Sequence, residues 1–450
     1  MPTPPLLSVP EDYSLLTDLF QLTMSACYVG EGLDQRRASF ELFTRRLPQN
    51  FGYLIAAGLA QGLEFLANFR ITADHIAALQ ATGIFDQAPA SFWTLLMEAR
   101  FTGDVWAVPE GTAVFANQPL LRIEAPLWQA QMVETYLLNA LNYQTLIATR
   151  AARLRDVAGP TAKLLEFGSR RAFSPQAALW AARAAIAGGL DATSNVLAAL
   201  SLGQKPAGTM AHALVMAIAA TQGSEADAFA AFHRYFPGAP LLIDTFDTVA
   251  AARRLAAERQ NGRQGLAGVR LDSGDLVTLS QQVRALLPEV PIFASGDLDE
   301  YEVQRLQAAG ACLDGYGFGT RLVTGEPVNG VYKLVDIDGI PVMKESSSKT
   351  TYPGRKHIFR AADPGQGDTL GLMSDSPPAH TTPLLGQVMQ NGQQLSPPED
   401  LSAIAHRASQ SVQSLPTSTR AIIDPQSIPV HISPALAALT EQTRRRQAVS

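Results

Sequence analysis

The sequence predicts an α/β protein built from successive strand–helix units, and three observations carry that expectation. From about residue 160 to 325, short apolar runs recur, each ending in Gly, Asp, Ser, Thr or Arg and usually followed by a helical stretch. The runs start about 25–45 residues apart, the spacing a βα unit requires. On either side the texture changes: helical patterns and Gly/Pro-broken β pieces come before, and polar β-like segments come after.

In chain order, residues 1–12 are Pro-rich and read as an irregular arm. Thr17 or Asp18 is placed to cap a helix running to Gly30. A strand is expected over 38–43, helices over 55–69 and 88–98, and short strands within 101–125. One long helix is expected over 127–156, which is apolar on one face and lacks Gly and Pro. The strand–helix units then fall at AKLLEFGSRR (162–171), PAGTMAHALVMA (206–217), PLLIDTFDT (240–248), AGVRLDSGDL (267–276), PIFASGDLDE (291–300) and DGYGFGTRLV (314–323), with GGLDATSN (188–195) either a further unit or a loop. Beyond 330, GVYKLVDIDGIPVMKES reads as β structure and 361–381 as loops. A helix is expected near 401–410, and the terminal RRR (444–446) reads as a solvated end. Reactive residue types gather just after the apolar runs. In a β/α barrel they would meet at the C-terminal face, and in an open doubly wound sheet at its switch point. The period alone does not choose between the two.

Composition narrows the function. Hydrophobic residues make up 46% and charged residues 17%, as in a globular protein with a large core. The two cysteines, Cys27 and Cys312, are too few for a disulfide framework or a zinc site and fit a reducing cytoplasm. A net charge of −6 argues against nucleic acid as the main partner. No apolar stretch reaches the ~18 residues of a membrane helix. The N-terminus, MPTPPLLSVPEDYS, has neither the basic region nor the apolar core of a signal peptide.

Several motifs carry chemistry, each with an ordinary structural alternative. In DSGD (272–275), Asp272 and Asp275 can orient ribose hydroxyls or hold Mg²⁺ against a diphosphate, while D-S-G is also ordinary turn and capping chemistry. YGFGTR (316–321) exposes backbone N–H groups that can cradle a phosphate, though a lone G-x-G-T is more often a plain turn. EFGSRR (166–171) places Phe167, able to stack on a flat ring, beside Arg170 and Arg171, able to grip a carboxylate or phosphate. GTMAHALVMAIAA (208–220) puts His212 at the start of an apolar helix, where a phosphorylated imidazole is favoured, although a buried structural histidine is the commoner case. In DTFDT (244–248), Asp244 and Asp247 read first as caps. Together the motifs describe a site for an anionic, phosphorylated substrate.

Taken in order, LLTDLFQLTM (15–24), FELFTRRLP (40–48), EFGSRRA (166–172), GGLDATSNVLA (188–198), GTMAH (208–212), LLIDTFDT (241–248), GVRLDSGDL (268–276), ASGDLDE (294–300), GFGTRLVT (317–324), GVYKLV (330–335) and PGRK (353–356) resemble the nicotinate phosphoribosyltransferase family over about 13–435. The resemblance implies an irregular β/α barrel of the type II phosphoribosyltransferase kind with a smaller α/β domain from N- and C-terminal segments. The implied division is an N-terminal domain at 1–130, a barrel with the active site at 131–328 and a C-terminal segment at 329–450 packing on the first. It implies a homodimer with sites shared between subunits, Arg45 being a candidate cross-subunit contact. It implies nicotinate, phosphoribosyl pyrophosphate and ATP as substrates, Mg²⁺ as cofactor, and nicotinate mononucleotide with diphosphate as products. His212 takes the place of the phosphorylated histidine. Phe20, Phe167, Thr209 and Arg270 fall on nicotinate-site positions, and Arg170 on a ring- and phosphate-holding position. Asp272, Asp275, Gly296, Gly319 and Thr320 fall on the ribose-phosphate cradle, and Thr351, Arg355 and Lys356 on the diphosphate side. Two positions depart from the family pattern: Phe20 stands where tyrosine is usual, and Ala213 where serine often follows the histidine.

Of the rival readings, a nicotinamide-specific relative needs an acidic group near the ring, where this chain offers Ser194. A quinolinate-specific relative needs a stronger basic cluster for two carboxylates. A sugar-phosphate aldolase barrel needs a Schiff-base lysine or a metal-binding histidine cluster, and neither is found at the strand ends. A non-catalytic phosphate-ligand sensor would not need both DSGD carboxylates and His212.

Overall fold

A computed structural model describes residues 9–261, 265–346 and 349–449. The chain divides into two compact units, 147–326 and a two-segment unit of 1–146 with 327–450. The two-segment unit is the larger.

In the unit 147–326, six parallel strands form one sheet: β1 (Lys163–Glu166), β2 (Ala192–Thr193), β3 (Leu241–Leu242), β4 (Val269–Leu271), β5 (Ile292–Ser295) and β6 (Gly315–Phe318). Their spatial order is β2-β1-β6-β5-β4-β3, so the first strand pairs with the last, Lys163 opposite Gly315 and Glu166 opposite Phe318. Read round the ring, the strands follow chain order with one seam, between β2 and β3. The seam is crossed by residues 207–211, which form no strand: the Ala207 N–H donates to the Thr193 carbonyl, and His212, at the far end, meets Thr245 beyond β3. The result is an irregular barrel closed everywhere but at this seam. The sequence pattern had placed a strand in 206–211. Pro206 lacks an N–H, and Gly208 weakens a strand, so the run stays extended without a ladder.

The strands read as unbroken apolar runs because parallel strands are covered on both faces. Leu164, Leu241, Leu242, Val269, Leu271, Ile292 and Phe318 are fully buried. Helices α1 (Pro175–Ala187), α2 (His212–Gln222), α3 (Thr248–Gln260), α4 (Leu276–Leu286) and α5 (Glu300–Ala308) alternate with them. Ser174, Asp247, Asp275 and Asp299 cap α1, α3, α4 and α5, their side chains accepting from backbone N–H groups of the first turn. Every cap except Ser174 lies within six residues of a strand end, so the turns that aim the functional residues are fixed by the same side chains that start the helices.

The two-segment unit holds a seven-stranded sheet in which Arg37–Thr44 pairs antiparallel with both Pro119–Pro126 and Gly330–Ile337, joining the two chain segments. A four-stranded sheet is ordered Thr381–Pro383, Lys356–Ala361, Asp368–Leu372 and Val430–Ile432. Several expectations change here. Residues 10–15 form a 3-10 helix where an irregular arm was expected, and the rest of that arm, 1–8, lies outside the described residues. The helix expected over 127–156 is two, Leu127–Met132 and Glu134–Ala158, broken at β-branched Val133. Thr72 caps an unforeseen helix, Ala73–Ala81. Within 361–381, Asp368–Leu372 is a strand with Asp368 and Leu370 buried, and Gly365 and Gly367 belong to the turn that precedes it. The RRR run lies in a helix, Pro434–Val449, where Arg444 pairs with Glu345 and Glu441. Among the described residues no helix is long and apolar enough to cross a membrane.

Candidate active site

The loops leaving β3 and β4 meet at His212. It is the first residue of α2, half-buried, and its Nδ1 lies 3.1 Å from the Thr245 hydroxyl. Its Nε2 lies 3.9 Å from Asp244 Oδ1 and 3.9 Å from Asp272 Oδ2, so two carboxylates from different strand ends face one ring nitrogen. Asp244 reads as a cap in the sequence, but the cap is Asp247, which accepts from the Ala250 N–H at 2.9 Å. The Asp244 side chain is instead 2% exposed. Its Oδ2 accepts from the Asp272 N–H (2.9 Å) and the Ser273 hydroxyl (2.6 Å), while its buried Oδ1 has no hydrogen-bond partner among the described residues. Sequence reasoning missed this residue. The available signal was position: Asp244 stands immediately past the apolar run, where Asp272 stands in its own unit.

Asp272 is shaped from the other side by Ser295, whose hydroxyl donates to Oδ1. Gly296 follows, at φ 100°, and a Cβ there would strike the Asp272 carbonyl at 2.4 Å. The two loops therefore pack backbone to backbone, which only glycine allows. Asp275 has its carboxylate turned to the start of α4, accepting from the Val277 N–H (3.2 Å) and the Thr278 hydroxyl (2.5 Å). That hydroxyl holds the Asp275 carboxyl below the usual carboxylate range. Asp272, Asp275, Asp297, Asp299, Arg305 and Arg321 line a cavity of about 520 Å³. Among the described residues no three His, Cys, Asp or Glu side chains gather into a metal cage. Mg²⁺ in phosphoryl sites does not require one, because one or two carboxylates with the substrate's phosphates suffice.

A second group lies at β1. The Phe167 ring presses on Gly317, where a Cβ would come within 2.4 Å of it. The guanidinium of Arg270 stands 5.9 Å from the ring centroid. Arg270 donates through Nη2 to the Met210 carbonyl (3.0 Å), which ties β4 to the seam, while its buried Nε has no hydrogen-bond partner among the described residues. Burial lowers its guanidinium pKa; Asp272 and Asp244 oppose that shift, and Arg170 adds to it. Arg170 itself is exposed and finds no side-chain partner among the described residues. A guanidinium beside an aromatic ring, with a second within electrostatic reach of it, forms a ready seat for a flat anion. Thr209 lies in the seam, its hydroxyl 3.3 Å from the Met210 carbonyl. Gly319 and Thr320 open the short helix Thr320–Val323 just past β6.

The remaining candidates belong to the two-segment unit. Phe20 is 46% exposed on the helix Leu19–Gly30 and, with Asp18, Gln21, Glu134 and Asn142, lines a cavity of about 520 Å³. Thr351 is buried and accepts from Arg45 Nη2 at 3.2 Å. Arg355 is half-exposed and paired with Glu124 at 3.3 Å. Lys356 is fully buried: its Nζ meets Glu41 at 2.8 Å and the carbonyls of Tyr352 (2.7 Å) and Gly354 (2.9 Å). Its charge is spent inside the loop.

Comparison with known proteins places this geometry. Residues 15–142 match the nicotinate phosphoribosyltransferase (NAPRTase) N-terminal domain, 162–291 the NAPRTase family and 373–440 the nicotinate phosphoribosyltransferase C-terminal domain. The chain is 40% identical over 434 residues to a nicotinate phosphoribosyltransferase of Mycobacterium tuberculosis, covering 93% of this chain and 91% of that one. It is 41% identical over 389 residues to that of Bacillus subtilis, covering 81% and 77%. The crystal structure of human nicotinic acid phosphoribosyltransferase superposes with a TM-score of 0.83 at 30% identity, covering 95% of this chain and 99% of that one.

Proposed function

The chain belongs to the nicotinate phosphoribosyltransferase family, and from that premise we propose that it joins nicotinate to phosphoribosyl pyrophosphate, giving nicotinate mononucleotide and diphosphate for NAD synthesis, with ATP hydrolysis coupled through His212. One observation carries the reading: an aromatic ring with the guanidinium of Arg270 beside it, and a histidine facing two carboxylates, lie at the ends of strands of one barrel.

The Phe167 ring offers a stacking face, and Arg270 and Arg170 supply the charge for the nicotinate carboxylate. As the pyridine nitrogen attacks the ribose C1, diphosphate departs and positive charge builds on the sugar. Asp272, held by Ser295 and by the Gly296 contact, is the fixed carboxylate that binds the ribose hydroxyls and faces that charge. Asp272 and Asp275 would hold Mg²⁺, which would supply positive charge to neutralise the leaving diphosphate. Gly296, Gly319 and Thr320 cradle the phosphate; Thr351 and Arg355 are assigned to the diphosphate by family resemblance alone. Thr209 belongs to the nicotinate side of the barrel, and Phe20 is assigned to nicotinate by family resemblance alone.

At His212 the carboxylates of Asp244 and Asp272 favour the tautomer with its proton on Nε2. The lone pair then lies on Nδ1, to which the Thr245 hydroxyl donates. Nδ1 is therefore the nitrogen with electrons to take the γ-phosphoryl group of ATP. The phosphorylated ring stays at the N-terminus of α2, which favours the added charge, and hydrolysis of the phosphohistidine pulls transfer toward product.

The reading extends to a cytoplasmic homodimer with shared sites. Phe173, Val196, Leu197, Leu200 and Met216 are each more than half exposed, apolar side chains of the kind that a second subunit covers. The test is a nicotinate and phosphoribosyl pyrophosphate assay with and without ATP, alongside phosphohistidine mapping. His212→Ala should abolish ATP stimulation and leave weak ATP-independent transfer. Full ATP-coupled turnover in that variant overturns the assignment of the switch.

A further inference from the structure

Glu166 ends β1, is 0% exposed and carries a carboxylate that no cation pairs with among the described residues. A charge so placed is costly unless it is fully hydrogen-bonded and holds something in place. One oxygen accepts from the N–H of Gly168, two residues on in its own loop. The other accepts from the Thr193 hydroxyl at 2.5 Å, at the end of the neighbouring strand β2. Burial pushes the Glu166 carboxyl above the ordinary glutamate range, and the two donors act against that push.

Both anchored loops belong to the candidate site. On the first, the Phe167 N–H donates to the Phe318 carbonyl (2.7 Å) and the next N–H goes to Glu166, so the backbone of Phe167 is fixed on both sides. The turn continues with the Arg171 and Ala172 N–H groups donating to the Gly168 carbonyl, which sets where Arg170 stands. On the second, the Thr193 hydroxyl oxygen accepts from the Asn195 N–H (2.9 Å), and the Ser194 N–H donates to the Glu166 carbonyl (2.9 Å). Gly168 permits this arrangement, because a Cβ there would lie 2.9 Å from the Glu166 carboxylate and 2.3 Å from Val323.

We propose that Glu166 is a positioning residue of the transfer reaction: its carboxylate clamps the Phe167–Arg170 loop to the Thr193–Asn195 loop and so sets the slot that receives the pyridine ring. The inference rests on the nicotinate reading of the site. Glu166 does not touch substrate; it acts through Phe167, Arg170 and Ser194.

The test uses Glu166→Gln and the milder Thr193→Val, each in the full chain. Both should raise the KM for nicotinate, Glu166→Gln at least fivefold, while the KM for phosphoribosyl pyrophosphate stays within twofold. The double variant should be no worse than Glu166→Gln alone, because both remove one clamp. Amide hydrogen exchange at Gly168 and Ser194 should accelerate in both. If Glu166→Gln does not fold, Thr193→Val carries the test by itself. An unchanged nicotinate KM, or an equal rise for both substrates, overturns the positioning role even if exchange accelerates. Failure of the wild-type chain to make nucleotide from nicotinate would instead overturn the functional reading, and this role with it.

Discussion

Replacing Gly317 by alanine asks whether the Phe167 ring stands where the site needs it. The added Cβ would lie 2.4 Å and 2.5 Å from two ring carbons, against the 3.4–4 Å of ordinary contact. The ring must retreat by about 1 Å, since the strand that carries Gly317 is buried and paired on both sides. Overpacking of this kind costs about 1–3 kcal/mol. For a unit of this size that lowers the thermal midpoint by about 2–12 °C. A displacement of about 1 Å near the reacting groups costs on the order of 100-fold in rate. The expected outcome is thus a modest loss of stability with a fall of about 100-fold in kcat/KM for nicotinate. Differential scanning fluorimetry and steady-state kinetics with nicotinate varied measure the two. Gly386→Ala is the control, because a Cβ there meets nothing within 4 Å. A Gly317→Ala protein with a midpoint within about 1 °C of wild type and an unchanged nicotinate KM refutes the placement of the ring.

Other expectations follow from the same geometry. Asp244→Asn should weaken phosphohistidine formation at least tenfold and leave ATP-independent transfer nearly intact, because it removes the charge facing His212 Nε2; radiolabel incorporation from ATP reads this, and normal incorporation contradicts it. Arg270→Met should raise the nicotinate KM more than the phosphoribosyl pyrophosphate KM, and a reversed split would remove Arg270 from carboxylate recognition. Lys356→Met should destabilise the chain by about 3–5 kcal/mol, since it leaves Glu41 buried without its cation; urea titration measures this, and a loss under about 1 kcal/mol would mean Lys356 carries little. Burial pushes the Glu134 carboxyl above the ordinary range, with Lys333, Gln131 and Gln21 acting the other way and Asp18 adding to it. A raised carboxyl binds its proton more tightly in the folded state. Wild type should therefore gain stability relative to Glu134→Gln as pH falls from neutral toward about 4.3, and the opposite trend in denaturation midpoints at pH 7 and 5 would refute the shift.

The barrel strands were legible because β/α alternation writes each one as an apolar run followed by a capped helix, and Asp247, Asp275 and Asp299 are caps that a sequence can show. The seam was not legible. PAGTMAH looks like the other runs, and only the positions of Thr193 and Thr245 reveal that it crosses a gap. The break at Val133 and the helix at Ala73–Ala81 depend on local balance that tertiary packing decides. In the site, residue types at the strand ends were readable one by one, but their partners were not. Only its place directly after the apolar run separates Asp244, whose side chain is buried, from Asp247, an exposed cap, and that position does not reveal the burial. Lys356 reads as one more basic residue of PGRK until its burial against Glu41 is seen. Burial and partnership are set by distant segments, which one sequence does not display.

The pairing of the first barrel strand with the last has a consequence for how the chain acquires its shape. Lys163–Glu166 cannot find its second neighbour until Gly315–Phe318 exists, and the intervening strands offer it only two-residue β2. Contacts so far apart in sequence are entropically late and slow to form. A nascent chain leaving the ribosome therefore carries β1 half-paired while most of the barrel is still being made. Any truncation before residue 315 removes one side of that strand, and with it the Phe318 carbonyl that receives the Phe167 N–H. Assembly and catalysis share this last step, since the strand that closes the ring also seats the substrate's aromatic wall.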